Sequence, residues 1–460
     1  MKSLRDPDCI LQEGLSAIRA QYKLPTSFPA DALAEAKTAV AKPLSDHVDR
    51  TALPFVTLDP ATSMDLDQAF AIETSGSDII LRYAIADVAW FVAVGGPMDK
   101  IAWERGETQY LPDGKVSLYP QELSEGAASL LPNIDRPAII FTVRIPPDGN
   151  ARLDGTERAM IRSRAKLAYE TVQPSELPDD FAELSRRIIA AEDARGAARI
   201  DPPEQEVVRQ NGHYKLELRP QTQAEQDNAS LSLATNVAVA HALYAHHTGL
   251  FRTMAEPADW AVRRLRHTAT AMGIDWPKQV GLEAMEKSLN AADPKQAALM
   301  LAIRRASPGA EYEPYKEGVK PWHAAMAATY CHATAPLRRL ADRYVVMTAH
   351  AVANGQPVPD WCTASFPLLP KVMAAADNLG NQLNRAVVDL AEAVMLQPDV
   401  GHQYQAVVTD TDERGARIQL CSEPVVARIK TDGLMAGDHI NVRLDSADPA
   451  TRTVTFSQIA

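Results

Sequence analysis

The chain has no run of about 18 apolar residues, so the sequence predicts no membrane-spanning helix. Its N-terminus, MKSLRDPDCILQEG, carries acidic residues where a secretory leader needs an apolar core. Cysteine is scarce: Cys9, Cys331, Cys362 and Cys421 are scattered, with no spacing that suggests a disulfide framework or a zinc site. Together these absences point to the cytoplasm. An excess of positive charge is also missing. The net charge of −12 excludes a protein that coats nucleic acid by bulk electrostatics, but not a basic groove inside an acidic surface. Basic clusters do occur at Arg162, Arg164 and Lys166, at Arg263, Arg264 and Arg266, at Arg304 and Arg305, and at Arg338 and Arg339. Each by itself reads as a solvated face. Internal repeats and low-complexity tracts are lacking too. What remains is an ordinary globular composition, 46% hydrophobic over 460 residues, long enough for about three domains.

The most informative stretch is PFVTLDPATSMDLDQAFAIE, from Pro54 to Glu73. Asp59, Asp65 and Asp67 fall in one short connection between two apolar, strand-like runs, and Pro60 stops the incoming strand. A hard divalent cation needs several oxygen ligands from a fixed backbone, which such a loop can supply. In extended chain Asp65 and Asp67 point to the same side. An Asx-rich turn accounts for the same residues equally well, and spacing alone does not choose.

Around this loop the pattern changes three times. The first 50 residues predict two helices, one carrying Ile10, Leu15 and Ile18 and an Ala-rich one over 30–41, a small helical module with a possible helix-turn-helix arrangement. Residues 51 to about 175 alternate short strands with glycine-marked turns, including one run over 78–92. Long helices follow from about 225 to 395, at Leu231–Leu243, Leu337–Val352 and Val372–Leu396. The last 60 or so residues give short strands with the rhythm of an OB-type barrel, or of an SH3-like one.

These blocks, in this order, resemble the ribonuclease II (RNB) exoribonucleases: PFVTLDPATSMDLDQA, RYAIADVAWFV, TQYLPDGKVSLYPQELSEGAASL, IRSRAKLAYETVQ and ATAPLRRLADRY. The resemblance implies an α+β fold with a deep channel. It implies a helical module at 1–50, an RNB catalytic domain at 51–396 and an S1-type OB barrel at 397–460. It further implies a short variant without the cold-shock barrels that better-known relatives carry ahead of the catalytic domain. The activity it implies is processive 3′→5′ hydrolysis of single-stranded RNA to nucleoside 5′-monophosphates, with Mg²⁺. The sequence does not fix the oligomeric state, and a monomer is the expectation.

Carried over residue by residue, Asp59, Asp65, Asp67 and Gln68 are the expected metal ligands. Gln68 stands where better-known members have Asp, so it offers a neutral oxygen and less charge. Asp67 and Arg338 are the expected catalytic residues, the guanidinium holding the phosphate oxygens in the transition state. Tyr110 is expected to stack on the terminal base, and Arg339 to touch backbone phosphate or solvent. Asp342 is expected to orient an arginine, and Pro336 to open the following helix. The family's acidic pair ahead of Asn236 is Ala229 and Ser230 here, which bears on recognition of the 2′-hydroxyl. Two rival functions remain: an RNA-binding regulator that has lost hydrolysis, for which Gln68 speaks, and a phosphodiesterase of small nucleotides, against which the C-terminal barrel speaks.

Overall fold

The computed structural model describes residues 4–6, 8–197, 204–210, 213–219, 221–290, 293–430, 433–435 and 437–459. Its centre is a five-stranded sheet in the order Val48–Asp49, Arg152–Arg162, Asp135–Ile145, Asp78–Ala86 and Gln68–Ser75. The long strands pair antiparallel, with Phe70 opposite Tyr83 and Tyr83 opposite Phe141. Phe70, Tyr83 and Phe141 are fully buried, so the alternation read from the sequence places one large ring per strand in a common core. Helices Gln223–Ala245 and Leu340–Ala353 cover this sheet and share that core.

The strand expected over 78–92 ends at Ala86, and residues 88–91 form a single helical turn. Asp87 causes the break. Its buried carboxylate accepts Arg158 Nε at 2.7 Å and faces His47 Nε2 at 3.2 Å, and these partners hold it ionised against the cost of burial.

Both N-terminal helices form, at Gln12–Gln21 and Ala30–Ala39, but their apolar faces go to different cores. Leu15 and Ile18 join Leu383, Leu390 and the C-terminal strands, whereas Ala32 and Ala36 join the sheet core. Gly14 lies so close to Leu390 that a β-carbon there would clash. The pair therefore braces two other layers.

The C-terminal strands Gln403–Asp412, Gly415–Leu420, Val426–Ile429, His439–Asp448 and Thr453–Ile459 make an antiparallel five-stranded, near-closed barrel of the S1/OB kind. It shares a core with the 28-residue helix Leu369–Leu396, which links it to the rest of the protein. Among the described residues no helix is long and apolar enough to cross a membrane.

Candidate active site

Asp59 ends the strand Thr57–Asp59, which pairs in parallel with Lys166–Ala168. The chain then loops to Gln68, and Leu66 is the plug that fixes the loop. Leu66 is fully buried, its N–H donates to Ser129 Oγ at 2.9 Å, and its carbonyl accepts Leu130 N–H at 3.0 Å. These bonds fix the backbone between Asp65 and Asp67.

Arg338 arrives from the other end of the domain. Residues 333–339 form a tight connection before the helix, and each backbone N–H in it is claimed. Asn236 Oδ1 accepts Ala333 N–H at 2.9 Å; Asp342 Oδ2 accepts Thr334 and Ala335 N–H at 3.1 and 2.8 Å; Asp67 Oδ1 accepts Leu337 N–H at 2.7 Å. Thr108 N–H donates to the Arg338 carbonyl and Leu340 N–H to that of Gly106, both at 2.9 Å. Gly106 adopts φ +70 and a β-carbon there would meet Ala376 at 2.8 Å, so this close pairing needs glycine. The pairing sets the hairpin Gln109–Leu111 and Gly114–Val116 beside the arginine.

The result is a site in which Asp59 and Asp67 both feel the charges of Arg338 and Asp65. Arg338 Nε lies 3.5 Å from Asp67 Oδ2, and the Arg338 side chain is 40% exposed although protein surrounds it. That exposure leaves the guanidinium reachable from solvent. Tyr110 OH donates to Asp65 Oδ2 at 3.2 Å, and Lys115 Nζ reaches Asp65 Oδ1 at 2.8 Å. The structure thus brings Asp59, Asp65, Asp67, Tyr110 and Arg338 into one site.

Two expected members are differently employed. Gln68 donates Nε2–H to the Thr334 carbonyl at 2.8 Å, and its Oε1 accepts from Tyr83 OH and, at 3.0 Å, from Ser232 Oγ. Its carbonyl oxygen already has two donors, which leaves none of its acceptor capacity for a cation. A carboxylate at 68 could not make the bond to Thr334, so Gln68 ties the strand to the arginine loop instead. Arg339 is mostly buried and forms a bidentate pair with Asp342 at 2.9 and 2.7 Å, which occupies one edge of its guanidinium. Asp342 does orient an arginine, but it is this one. The helix after Pro336 starts only at Leu340, and its neighbouring N–H groups serve Asp342 and Asp67 rather than an open anion site. Lys115, Tyr83 and Ser232 are the site residues that sequence reasoning passed over. Lys115 lies inside a quoted motif, but a lysine in a turn-like DGK carries no signal of its partner.

Burial raises the Asp59 carboxyl to about 7 and the Asp67 carboxyl to about 8; Arg338 opposes both shifts and Asp65 adds to them. The Asp59 carboxylate accepts no hydrogen bond among the described residues, although the backbone carbonyl takes Tyr169 N–H at 3.2 Å. Two under-donated carboxylates that both feel Arg338 are a fit for a hard divalent cation. Among the described residues no three His, Cys, Asp or Glu side chains form a ready-made cage. Mg²⁺ does not need one, because it is usually held by one or two carboxylates, waters and substrate phosphate. A consequence can be measured. Below the raised carboxyl values the acids hold protons that a cation must displace. Apparent Mg²⁺ affinity should therefore fall by roughly tenfold per pH unit, for each proton displaced, as pH drops below about 7. Calorimetry in buffers of different ionisation enthalpy should register proton release at pH 7 and little at pH 9.

Fold and site together define an α+β domain with an acid-and-arginine site, joined to a nucleic-acid-type barrel. The chain belongs to the RNB family: the RNB domain matches residues 47–355, and the RNase II-type exonuclease C-terminal S1 domain matches residues 402–459. It is 26% identical over 462 residues to ribonuclease R 1 of Lactococcus lactis, covering 92% of this chain and 55% of that protein. It is 24% identical over 507 residues to ribonuclease R of Aquifex aeolicus, covering 97% of this chain and 70% of the relative. The chain thus spans little more than half the length of the Lactococcus protein. Mycoplasma genitalium RNase R in complex with ribose-methylated single-stranded RNA shares the fold, with a TM-score of 0.82 at 19% identity over 98% of this chain and 78% of that one. So does yeast Ssd1, described as a pseudonuclease, with a TM-score of 0.66 at 16% identity over 93% of this chain and 56% of that one.

Proposed function

We propose that this chain is a Mg²⁺-dependent 3′→5′ exoribonuclease, acting in the cytoplasm on single-stranded RNA and releasing nucleoside 5′-monophosphates. The observation that carries the reading is the apposition of Asp67 and Arg338, side by side although separated by more than half the chain. Asp59 and Asp67 would hold the cation, which when bound lowers the pKa of water and screens charge on the departing oxygen. Arg338, reachable and planar, can donate to two phosphate oxygens as negative charge grows on them. Asp67 does a second task, because its other oxygen fixes Leu337 and so the position of Arg338. Tyr110 offers a ring face to a terminal base while its hydroxyl is tied to Asp65. The C-terminal barrel suits a strand guide, which a hydrolase of small nucleotides would not require.

The competing reading is an RNA-binding regulator without hydrolysis. It is favoured by Gln68, whose amide is locked into protein contacts, and by the occurrence of this fold in a protein described as a pseudonuclease. A 3′- or 5′-end-labelled RNA oligomer incubated with Mg²⁺ separates the possibilities. Progressive shortening from the 3′ end to mononucleotides is the expected outcome. Intact but gel-shifted RNA would select the regulator, and cleavage of dinucleotides alone would select the small-nucleotide enzyme.

A further inference from the structure

Two of the basic clusters in the sequence meet at the joint between the helices and the C-terminal barrel. Helices Asp259–Ala271 and Pro294–Ala306 pack on each other through Leu265, Leu299 and Ile303, and the first also lies on the barrel strand Gln403–Asp412. Between them is a cavity of about 40 Å³, lined by Arg264 and Arg305 from the helices and by Asp410 and Arg417 from the barrel. None of Asp59, Asp65, Asp67, Tyr110 or Arg338 lines it. One buried water needs roughly 10–15 Å³, so this space takes a small polyatomic ion and not a whole nucleotide.

Three arginines line this cavity against one carboxylate. Arg264 Nη1 lies 3.4 Å from Asp410 Oδ2, a loose contact with a single oxygen. The side chains of Arg305 and Arg417 have no hydrogen bond or ion pair among the described residues. Other polar side chains of the lining are already spent on protein carbonyls. Thr268 Oγ1 sits 3.2 and 3.3 Å from those of Arg264 and Thr409, and Gln419 Nε2 donates to those of Glu423 and Val425, both at 3.2 Å. Arg305 is open to solvent at one end, yet burial and then the charge of Arg417 push its guanidinium value down. Glu392 offsets this only in part, because burial and then Asp389 raise its carboxyl to about 8 and leave it mostly protonated at pH 7. Like charges held together by protein repel each other unless a counter-ion joins them.

We infer that this cavity is a binding site for one phosphate-class anion, gripped by Arg305 and Arg417 and flanked by Arg264. Planar guanidinium groups donate paired hydrogen bonds to tetrahedral oxyanions, and two of them here have donors to give. The same chemistry suits a free phosphate ion and a phosphodiester of an RNA backbone. Because its donors come from both sides of the joint, the bound anion cancels their repulsion and couples the barrel to the helices. The inference stands apart from the proposed hydrolysis: a chain without nuclease activity would still carry the site.

Calorimetric titration of the full-length chain with inorganic phosphate, at pH 7 in EDTA and at constant ionic strength, tests this. An R338A background keeps the acid-and-arginine site from contributing. One phosphate should bind with a dissociation constant of about 1 mM or tighter. Adding R305M or R417M should weaken it at least about tenfold each, and adding D410N should tighten it by about threefold. Phosphate should also raise the melting temperature of the R338A chain and leave that of its R417M form unmoved. Arg417 is half-buried on a barrel strand, so R417M and D410N decide the matter if R305M fails to fold. No binding at about 10 mM phosphate, an affinity that R417M leaves unchanged, or binding lost in D410N would each overturn the inference. Once phosphate binding is established, a single-stranded RNA oligomer under the same metal-free conditions separates the two sources. Competition between phosphate and RNA, with weaker RNA binding in R417M, assigns the site to the RNA backbone. RNA binding indifferent to both assigns it to a free anion.

Discussion

Asp67→Asn should lower RNA hydrolysis by roughly 10³-fold or more while leaving the affinity for a single-stranded oligomer within a few-fold of wild type. The substitution is nearly isosteric. The side-chain oxygen that accepts Leu337 N–H at 2.7 Å remains available, so the arginine loop keeps its anchor. What disappears is the negative charge facing the cation and Arg338. A fall in kcat with little change in KM is the expected pattern, because the lost interaction serves the transition state and not RNA docking. Comparable turnover by D67N, in protein stripped of contaminating nuclease and supplied with Mg²⁺, would count decisively against the mechanism. An equal loss of RNA affinity would instead indicate that the loop had collapsed.

Arg338→Ala is the second large effect, a loss of about 10²–10⁴-fold in kcat at saturating RNA. The guanidinium is 40% exposed, so its removal leaves no enclosed void, and the fold should survive. Arg338→Lys should recover only part of the loss, because a point-like ammonium cannot engage two phosphate oxygens in one plane. Arg339→Ala makes an informative contrast. Arg339 is locked to Asp342, the residue that also accepts the N–H groups of Thr334 and Ala335. Its removal strands a fully buried carboxylate, so its main signature should be a lower melting temperature. If R338A and R339A fell equally in melting temperature and kcat, the separate tasks assigned to the two arginines would be wrong.

Much of this protein could be read in order along the chain. The acidic loop, the strands around it, the Ala-rich and Leu-rich helices and the final barrel all follow from local patterns, because period and turn chemistry act over a few residues. The misreadings have the same origin. The strand over 78–92 looked continuous because nothing local reveals that Asp87 meets Arg158 and His47 in the interior. The helix placed at Leu337 starts instead at Leu340, because Asp67, more than half the chain away, claims the Leu337 N–H.

By itself, the sequence determined which chemistry was on offer: three carboxylates in one connection, an arginine pair before a helix, an aromatic hairpin, and a barrel to follow. Only the tertiary structure decided how those groups divide the work. It gave Arg338 to Asp67 and Arg339 to Asp342, turned the Gln68 amide toward Thr334, and set Lys115 on Asp65. The physical reason is that ligands and catalytic groups are defined by which polar atoms remain unpaired after folding. That remainder depends on partners brought together from distant parts of the chain, which no local pattern records.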